Sequence, residues 1–460
     1  MVKDIISVPR DIPAVESLAE DAAVRAAASG LARPYLIEII REYIAAFKAD
    51  LVRNKNAVDG DVFSDGLITS IKRRKLKKIG RVINGTGILV HTNLGRAPLS
   101  EELFDRIKGQ ITGYGNLEFD VASGKRGKRG ELAEKYLALL AGAEAGAIVN
   151  NNAAALFLIL NTLANRKKVV ISRGELVQIG GGFRIPDIIR RSGARLLEIG
   201  TTNITSLDDY RAALDEKPAM ILKVHQSNFA VKGFTGEAAI KDLIGLGREQ
   251  NVPVVNDLGS GVFIDTGAFA GFREPTVQDS VRDGADLTCF SGDKLLGGMQ
   301  AGLIVGRAEM VQKVKRNPVY RAMRVDKTIF SALEELLGYY LDGSWVEHIK
   351  LWRLAAMGEA ELYKKGQQII KEIDADDRII LEASEGRIGG GSLPEVPLPS
   401  VALVFRGGLS PNRLAALFRK TDPPVIGRVS GENFMIDIKA IDTDDAADLV
   451  RIIKSVKDKL

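Results

Sequence analysis

The chain has 460 residues, a formal net charge of +5, and 45% hydrophobic against 27% charged residues, the composition of a globular protein too large for one ordinary core. A single cysteine, Cys289, excludes intrachain disulfides and thiolate metal clusters, and three scattered histidines, His91, His225 and His348, argue against a zinc site. No apolar run reaches the roughly 18 residues of a membrane helix, and the N-terminus, MVKDIISVPRDIPAVESLAED, has neither the apolar core nor the cleavage site of a signal peptide; a cytoplasmic enzyme is the expectation.

In chain order, residues 1–66 read as a small helical unit. AVESLAEDAAVRAAASG and PYLIEIIREYIAAFKADLVR carry apolar residues at helical spacing, Pro34 opens the second, and DGDVFSDG breaks the pattern. Residues 67–92 follow as a basic linker. Its run KRRKLKKIGR, Lys72 to Arg81, has seven basic residues and no acid, and GKRGKR at 124–129 adds four more. Such runs are either solvated faces or the footprint of a polyanion such as a nucleic-acid backbone.

Residues 93–343 alternate between short β-rich runs (AIVN, KVVIS, ARLLEI, MILKVH, VPVVND, DLTCF, LIVG) and segments able to hold helices. That alternation predicts an α/β domain with a mostly parallel sheet, left by a long helix at Asp326–Leu341. Residues 344–460 change character: RIILEASE, PSVALVF, PPVIGRV and NFMIDIKAI are mixed with helices after Ser410-Pro411 and at Asp444–Lys457, a smaller α+β domain.

The glycines form no nucleotide fingerprint. No G-x-x-x-x-G-K-[ST] occurs, and GTG at 85–87 and GSG at 259–261 lack the third glycine of a dinucleotide motif. Pyridoxal phosphate makes other demands: a lysine for covalent attachment, an acid at the pyridine nitrogen, and a phosphate cradle. Lys294 follows an apolar strand among Ser291, Gly292, Gly297 and Gly298, small residues that let backbone approach a bulky ring. Asp257 stands just beyond the strand VPVVN, where a carboxylate can hold a pyridinium proton. In AIVNNNAAALFLIL a strand gives way to three asparagines and then an Ala-rich helix, whose N-terminus suits a phosphate. Each feature alone is also what an ordinary cap, turn or surface lysine looks like. Their order, cradle then acid then lysine at successive strand ends, is the arrangement of fold-type-I pyridoxal enzymes.

RVINGTGILVHTNLGRAPLS, GNLEFD, AGAEAGAIVNNNAAA, ISRGELVQIGGGFRIPDI, IGTTN, NDLGSG, FSGDKLLGG, QAGLIVG and RAMRVDK together resemble the bacterial selenocysteine synthases, the L-seryl-tRNA(Sec) selenium transferases, over effectively the whole chain. The resemblance implies a fold-type-I pyridoxal-phosphate-dependent transferase with an N-terminal helical domain that grips tRNA and a C-terminal α+β domain. It implies that Lys294 carries the cofactor and that Asp257 meets the pyridine nitrogen. It also puts Asn151, Asn152 and Ala153 where the phosphate is held; on the residues alone, Ser291 is one of the small groups beside Lys294 at the cofactor, and His225, at a strand end, is either a cofactor neighbour or a satisfied structural histidine. Arg96, Arg321 and Arg324 match the arginines that gather selenophosphate, a sensible pairing of guanidinium forks with an anion. A helix through Arg321 and Arg324 would put both on one face. The implied reaction removes the β-hydroxyl of serine esterified to tRNA(Sec) and adds selenium at Cβ, giving selenocysteinyl-tRNA(Sec). The implied assembly is a ring of dimers, a decamer.

The chain departs from the family pattern at several positions. Ile204 stands where Arg is usual, Gly182 where Ser is, Gln226 and Phe229 in place of Thr and Tyr, and Met299 in place of Pro. Two other readings remain. One is a paralogous lyase or dehydratase acting on a small amino-sugar acid phosphate, whose members generally lack the N-terminal domain. The other is a catalytically silent tRNA-binding relative, against which the intact Ser291-Gly292-Asp293-Lys294 speaks. Cys289 reads as a core strand residue.

Overall fold

The computed structural model describes residues 4–54, 56–179, 182–226, 231, 233–267, 271, 273–389 and 397–457. By internal contacts the chain divides into two compact units, Met1–Val82 and Ile83–Leu460.

The first unit is helical and has its own core. Helices Val15–Glu20, Ala22–Ala27, Arg33–Asn54 and Gly60–Lys75 enclose Ile39, Ile40, Phe63, Leu67 and Ile71, all fully buried. The expected break at DGDVFSDG is instead the start of the fourth helix: Asp59 caps it by accepting from Asp61 N–H at 2.8 Å. The expected linker, 67–92, is likewise not one. Its first third is the C-terminal half of this helix, because Phe63, Leu67 and Ile71 recur at a spacing of four and bury one face. At Gly66, a poor helix former, a Cβ would lie 2.1 Å from the Tyr43 hydroxyl, so any larger residue has to push that ring aside. The basic run therefore closes the helix, where cations suit the dipole. Arg74 is paired with Glu42, and Lys78 Nζ donates to Gly30 O at 3.0 Å.

The second unit is built on a seven-stranded sheet, its strands numbered here along the chain: β1 Ala145–Val149, β2 Lys168–Ser172, β3 Arg195–Ile199, β4 Met220–Val224, β5 Val254–Gly259, β6 Leu287–Ser291 and β7 Gly302–Gly306. Their order is 3-2-4-5-6-7-1, parallel except for β7, which runs antiparallel to both neighbours. Side-chain alternation sends Ile148, Phe290, Leu303 and Val305 to one core, with helix Lys327–Leu341. It sends Val149, Leu287, Cys289 and Ile304 to the other, with helix Asn152–Leu163. The strand expectations therefore hold, and Cys289 is a buried core residue.

A second sheet forms the smaller domain: Arg428–Ser430, Asn433–Asp437, Pro397–Phe405, Ile379–Gly389 and Ile88–Val90, in that order. Helices Glu359–Glu372, Pro411–Phe418 and Thr443–Lys457 cover it. Two expected boundaries move. Ile83–Asn84 and Ile88–Val90 pair with C-terminal strands, so this end of the supposed linker is sheet. Residues 344–357 stay with the large core through Ile349, Leu351, Trp352 and Leu354. Lys439, 1% exposed, sends its ammonium to the carbonyls of Ala355 and Met357 at 3.1 and 2.7 Å, capping helix Lys350–Ala356.

Candidate active site

Parallel strands bring their C-terminal ends to one edge, and the expected residues converge there. Register pairs Val224 with Asp257 and Asp257 with Cys289. Asp257 thus lies within β5, two residues before its end rather than just beyond the strand as expected, with His225 one step past β4 and the lysine loop one step past β6. The antiparallel β7 adds the fourth element: Gly302 pairs with Val149, so the loop after β6 returns beside the asparagine turn after β1. A Cβ on Gly302 would lie 2.1 Å from Asn151 O, so glycine is obligatory at this crossing.

Asn151 caps helix Asn152–Leu163, its side chain accepting from Ala154 N–H at 2.9 Å. Asn152 donates from Nδ2 to Asp257 Oδ1 at 2.8 Å, while its own Oδ1 is buried without a partner. Asp257, 6% exposed, also accepts from Gly259 N–H at 3.1 Å. Burial pushes its carboxyl above the usual range, opposed by the Asn152 bond and by the charge of Lys294. His225 donates its backbone N–H to Asp257 O at 2.9 Å. Its Nε2 is 3.1 Å from Oε1 of Glu274.

Lys294 is 6% exposed and reached through a tight loop. Gly292 N–H donates to Ala301 O, Leu295 N–H to Ser260 O, and Gly298 N–H to Gly292 O, at 2.8 to 3.0 Å. A Cβ on Gly292 would meet Met299 O at 2.6 Å. Burial lowers the lysine's pKa, Arg96 lowers it further, and Asp257 opposes both. A lysine pushed toward the neutral amine can attack a carbonyl. Ser291 is buried at the end of β6.

Arg96 lies at φ +69, immediately after left-handed Gly95. Its Nη1 is 2.8 Å from Oδ2 of Asp293, and Ala97 N–H donates to Asp293 O at 3.2 Å. Asp293 Oδ1 is buried without a partner. The structure thus joins the expected anion-binding arginine to the residue before the lysine. Arg321 and Arg324 do not share a helix face. The helix Pro318–Ala322 ends before Arg324, whose guanidinium packs over the Tyr320 ring at 5.8 Å. Both are exposed, and Asn150 N–H donates to Met323 O at 3.0 Å, which fixes this segment beside the asparagine turn.

Sequence reasoning missed Glu274 and the structural part of Asp293. Nothing local marks Glu274, whose partner His225 is 49 residues away. Of the departures, Ile204 is 47% exposed and lines a cavity of about 270 Å³ with Gly174, Glu175, Thr201 and Gln226. Gly182 adopts φ +84, a conformation that favours glycine over serine. Phe229, Ser227 and Asn228 lie outside the described residues.

These groups fit pyridoxal phosphate: a buried lysine held toward its neutral form, a buried acid, and beside them the N-terminus of helix Asn152–Leu163, whose first-turn N–H groups and dipole suit a phosphate. Among the described residues no cluster of His, Cys, Asp and Glu could hold a metal ion, and no helix is long and apolar enough to cross a membrane.

Comparisons with known proteins give the fold and the family. Among solved structures, D-glucosaminate-6-phosphate ammonia-lyase is similar with a TM-score of 0.59 and 20% identity, covering 84% of this chain and 97% of that one. That likeness concerns the fold alone, which is the fold-type-I arrangement expected. The L-seryl-tRNA(Sec) selenium transferase of Geobacter sulfurreducens is 40% identical over 455 residues, 97% of this chain and 98% of its own. That of Aquifex aeolicus is 40% identical over 427 residues, 92% and 94% of the two chains. The family model for L-seryl-tRNA selenium transferase matches residues 82–442. The chain therefore belongs to the L-seryl-tRNA selenium transferase family.

Proposed function

We infer that the protein converts L-seryl-tRNA(Sec) to L-selenocysteinyl-tRNA(Sec) for selenoprotein synthesis, with pyridoxal 5'-phosphate as its cofactor. The observation that carries the reading is Lys294, buried and held toward its neutral form beside Asp257 at the sheet's C-terminal edge. When bound, the cofactor supplies an electron sink for a carbanion at the substrate's Cα. Lys294 is the attachment point and the base at the Cα proton. Asp257, fixed by Asn152 and Gly259, holds the proton on the pyridine nitrogen. Asn151, Asn152 and Ala153 at the helix N-terminus, with Ser291, cradle the phosphate, and His225 lines the same site.

Arg96, Arg321 and Arg324 gather selenophosphate as the selenium donor. Arg96 is oriented for this by Asp293, and Arg324 by its packing on Tyr320. The helical unit 1–82, with its basic helix end, grips the tRNA, and the chain works in the cytoplasm as a homo-oligomer, a decameric ring of dimers. The alternative lyase reading rests on a fold likeness only, whereas the transferase relatives match nearly full length.

The deciding experiment incubates the cofactor-loaded protein with seryl-tRNA(Sec) and selenophosphate and scores selenocysteinyl-tRNA. Turnover by wild type and none by Lys294→Ala is expected. Retained conversion in Lys294→Ala would refute the lysine assignment, and an inactive wild type would refute the transferase reading.

A further inference from the structure

The site contains a buried acid that the roles above leave unused. Glu274 is 2% exposed, and its backbone N–H donates to Thr266 Oγ1 at 2.9 Å, on the segment entering helix Val277–Asp283. Its Oε1 lies 3.1 Å from Nε2 of His225. A carboxylate is costly to bury unless it is partnered, and here an imidazole partners it. His225 is itself anchored by its N–H to Asp257 O, yet its side chain keeps 30% of its exposure. Lys294 feels the Glu274 charge, and Asp257 feels that of His225, so all four groups lie within electrostatic reach. A buried carboxylate behind an imidazole with one open side is how proteins orient a histidine for proton transfer.

The reaction needs an acid at the leaving oxygen, and the proton that Lys294 takes from Cα is needed again at Cα once selenium has added. When Lys294 removes the Cα proton, the freed electron pair forms the Cα–Cβ double bond, and the Cβ–O bond breaks with its pair going to oxygen. Hydroxide leaves poorly unless it receives a proton. Asp257 is committed to Asn152 and Gly259, and Asp293 to Arg96. Resting on the seryl-tRNA reading, we propose that His225 is the catalytic acid that protonates the departing serine hydroxyl, with Glu274 as its positioning residue. The imidazolium gives the proton from Nδ1, and the oxygen departs as water. The neutral ring keeps Nε2–H donated to Glu274 and takes its next proton from solvent on its open side.

The test compares cofactor-loaded wild type, His225→Gln, Glu274→Gln and Glu274→Asp. Three readings are taken: the visible absorbance of bound pyridoxal, exchange of the Cα hydrogen in D2O, and product formation from seryl-tRNA(Sec) and from β-chloroalanyl-tRNA(Sec), whose chloride leaves without a proton. The two Gln variants are expected to keep the absorbance band and the Cα exchange, and to lose about 100-fold or more in rate on seryl-tRNA. On the chloro substrate they should come within a few-fold of wild type, and Glu274→Asp should recover part of the seryl rate. Equal losses on both substrates, or no loss on seryl-tRNA, would overturn the proposal and leave the proton to come from elsewhere, such as Lys294. If a Gln variant fails to hold the cofactor, Glu274→Asp carries the same two-substrate comparison. A wild type inactive on seryl-tRNA would instead overturn the underlying reading.

Discussion

Removing the Arg96 guanidinium tests how the lysine loop is held. Asp293 keeps only 9% of its side-chain exposure, its Oδ1 is buried without a partner, and its Oδ2 is 2.8 Å from Arg96. Arg96→Ala therefore strands a buried carboxylate, a loss of about 3–5 kcal/mol for fully buried pairs. Arg96 is 35% exposed, so water screens part of the pair, and about 2–3 kcal/mol is the expected cost. For a unit the size of Ile83–Leu460 the unfolding entropy is about 0.8 kcal/mol/K, which makes the shift in Tm about 3–4 °C. Trp345 and Trp352, the chain's two tryptophans, both lie in this unit and report its unfolding by fluorescence. Asp293→Asn should cost less, because Arg96 can rehydrate. The double variant should be less destabilised than the sum, by about 2 kcal/mol. The same variant has a chemical readout: Arg96 helps lower the pKa of Lys294. The rate at which apoprotein captures pyridoxal phosphate should rise with pH as the amine deprotonates, with a midpoint below the ordinary lysine value of about 10.4. In Arg96→Ala that midpoint should move up. Unchanged unfolding together with an unchanged midpoint would refute the coupling.

Gly302→Ala should leave the fold recognisable by circular dichroism yet abolish cofactor retention, because the new methyl collides with Asn151 O and displaces the cradle; retained visible absorbance would count against that account. Lys439, with a pKa pushed down to about 8 by burial, binds fewer protons folded than unfolded above that pH. Stability should rise by about 2 kcal/mol from pH 8 to about pH 10 on its account; Lys439→Met should lack this rise in denaturant titrations, and identical slopes in the two proteins would refute it. Deleting residues 1–82 should weaken tRNA binding in filter assays while cofactor loading persists, since the two units have separate cores; undiminished tRNA affinity would remove the helical unit from the tRNA-binding role.

The strands of the large sheet were legible because each is a short apolar run bounded by turn residues, and sheet burial rewards that pattern whatever its neighbours. Lys294, Asp257 and the asparagine turn were legible because each ends such a run. What escaped is what depends on distant partners. Gly60 and Gly66 read as breakers, yet the helix persists because its buried face decides the matter. Arg321 and Arg324 suggested a helix by spacing, but the chain leaves the helix at Met323 to meet Asn150. The pairs Arg96–Asp293 and His225–Glu274 span 197 and 49 residues, and no local pattern announces either.

The antiparallel β7 has a consequence for how the site exchanges its contents. With β6 and β7 paired to each other and to β5 and β1, and the amides of Gly292, Leu295, Gly297 and Gly298 engaged, displacing the lysine's backbone requires breaking these bonds. Movement of the amine is then confined to four methylenes turning about their own bonds on the nanosecond scale or faster. With Lys294 as the proposed attachment point, handover of the cofactor to substrate is a side-chain event rather than a loop event, and a slow step in turnover is to be sought elsewhere, in arrival of the tRNA or departure of the product.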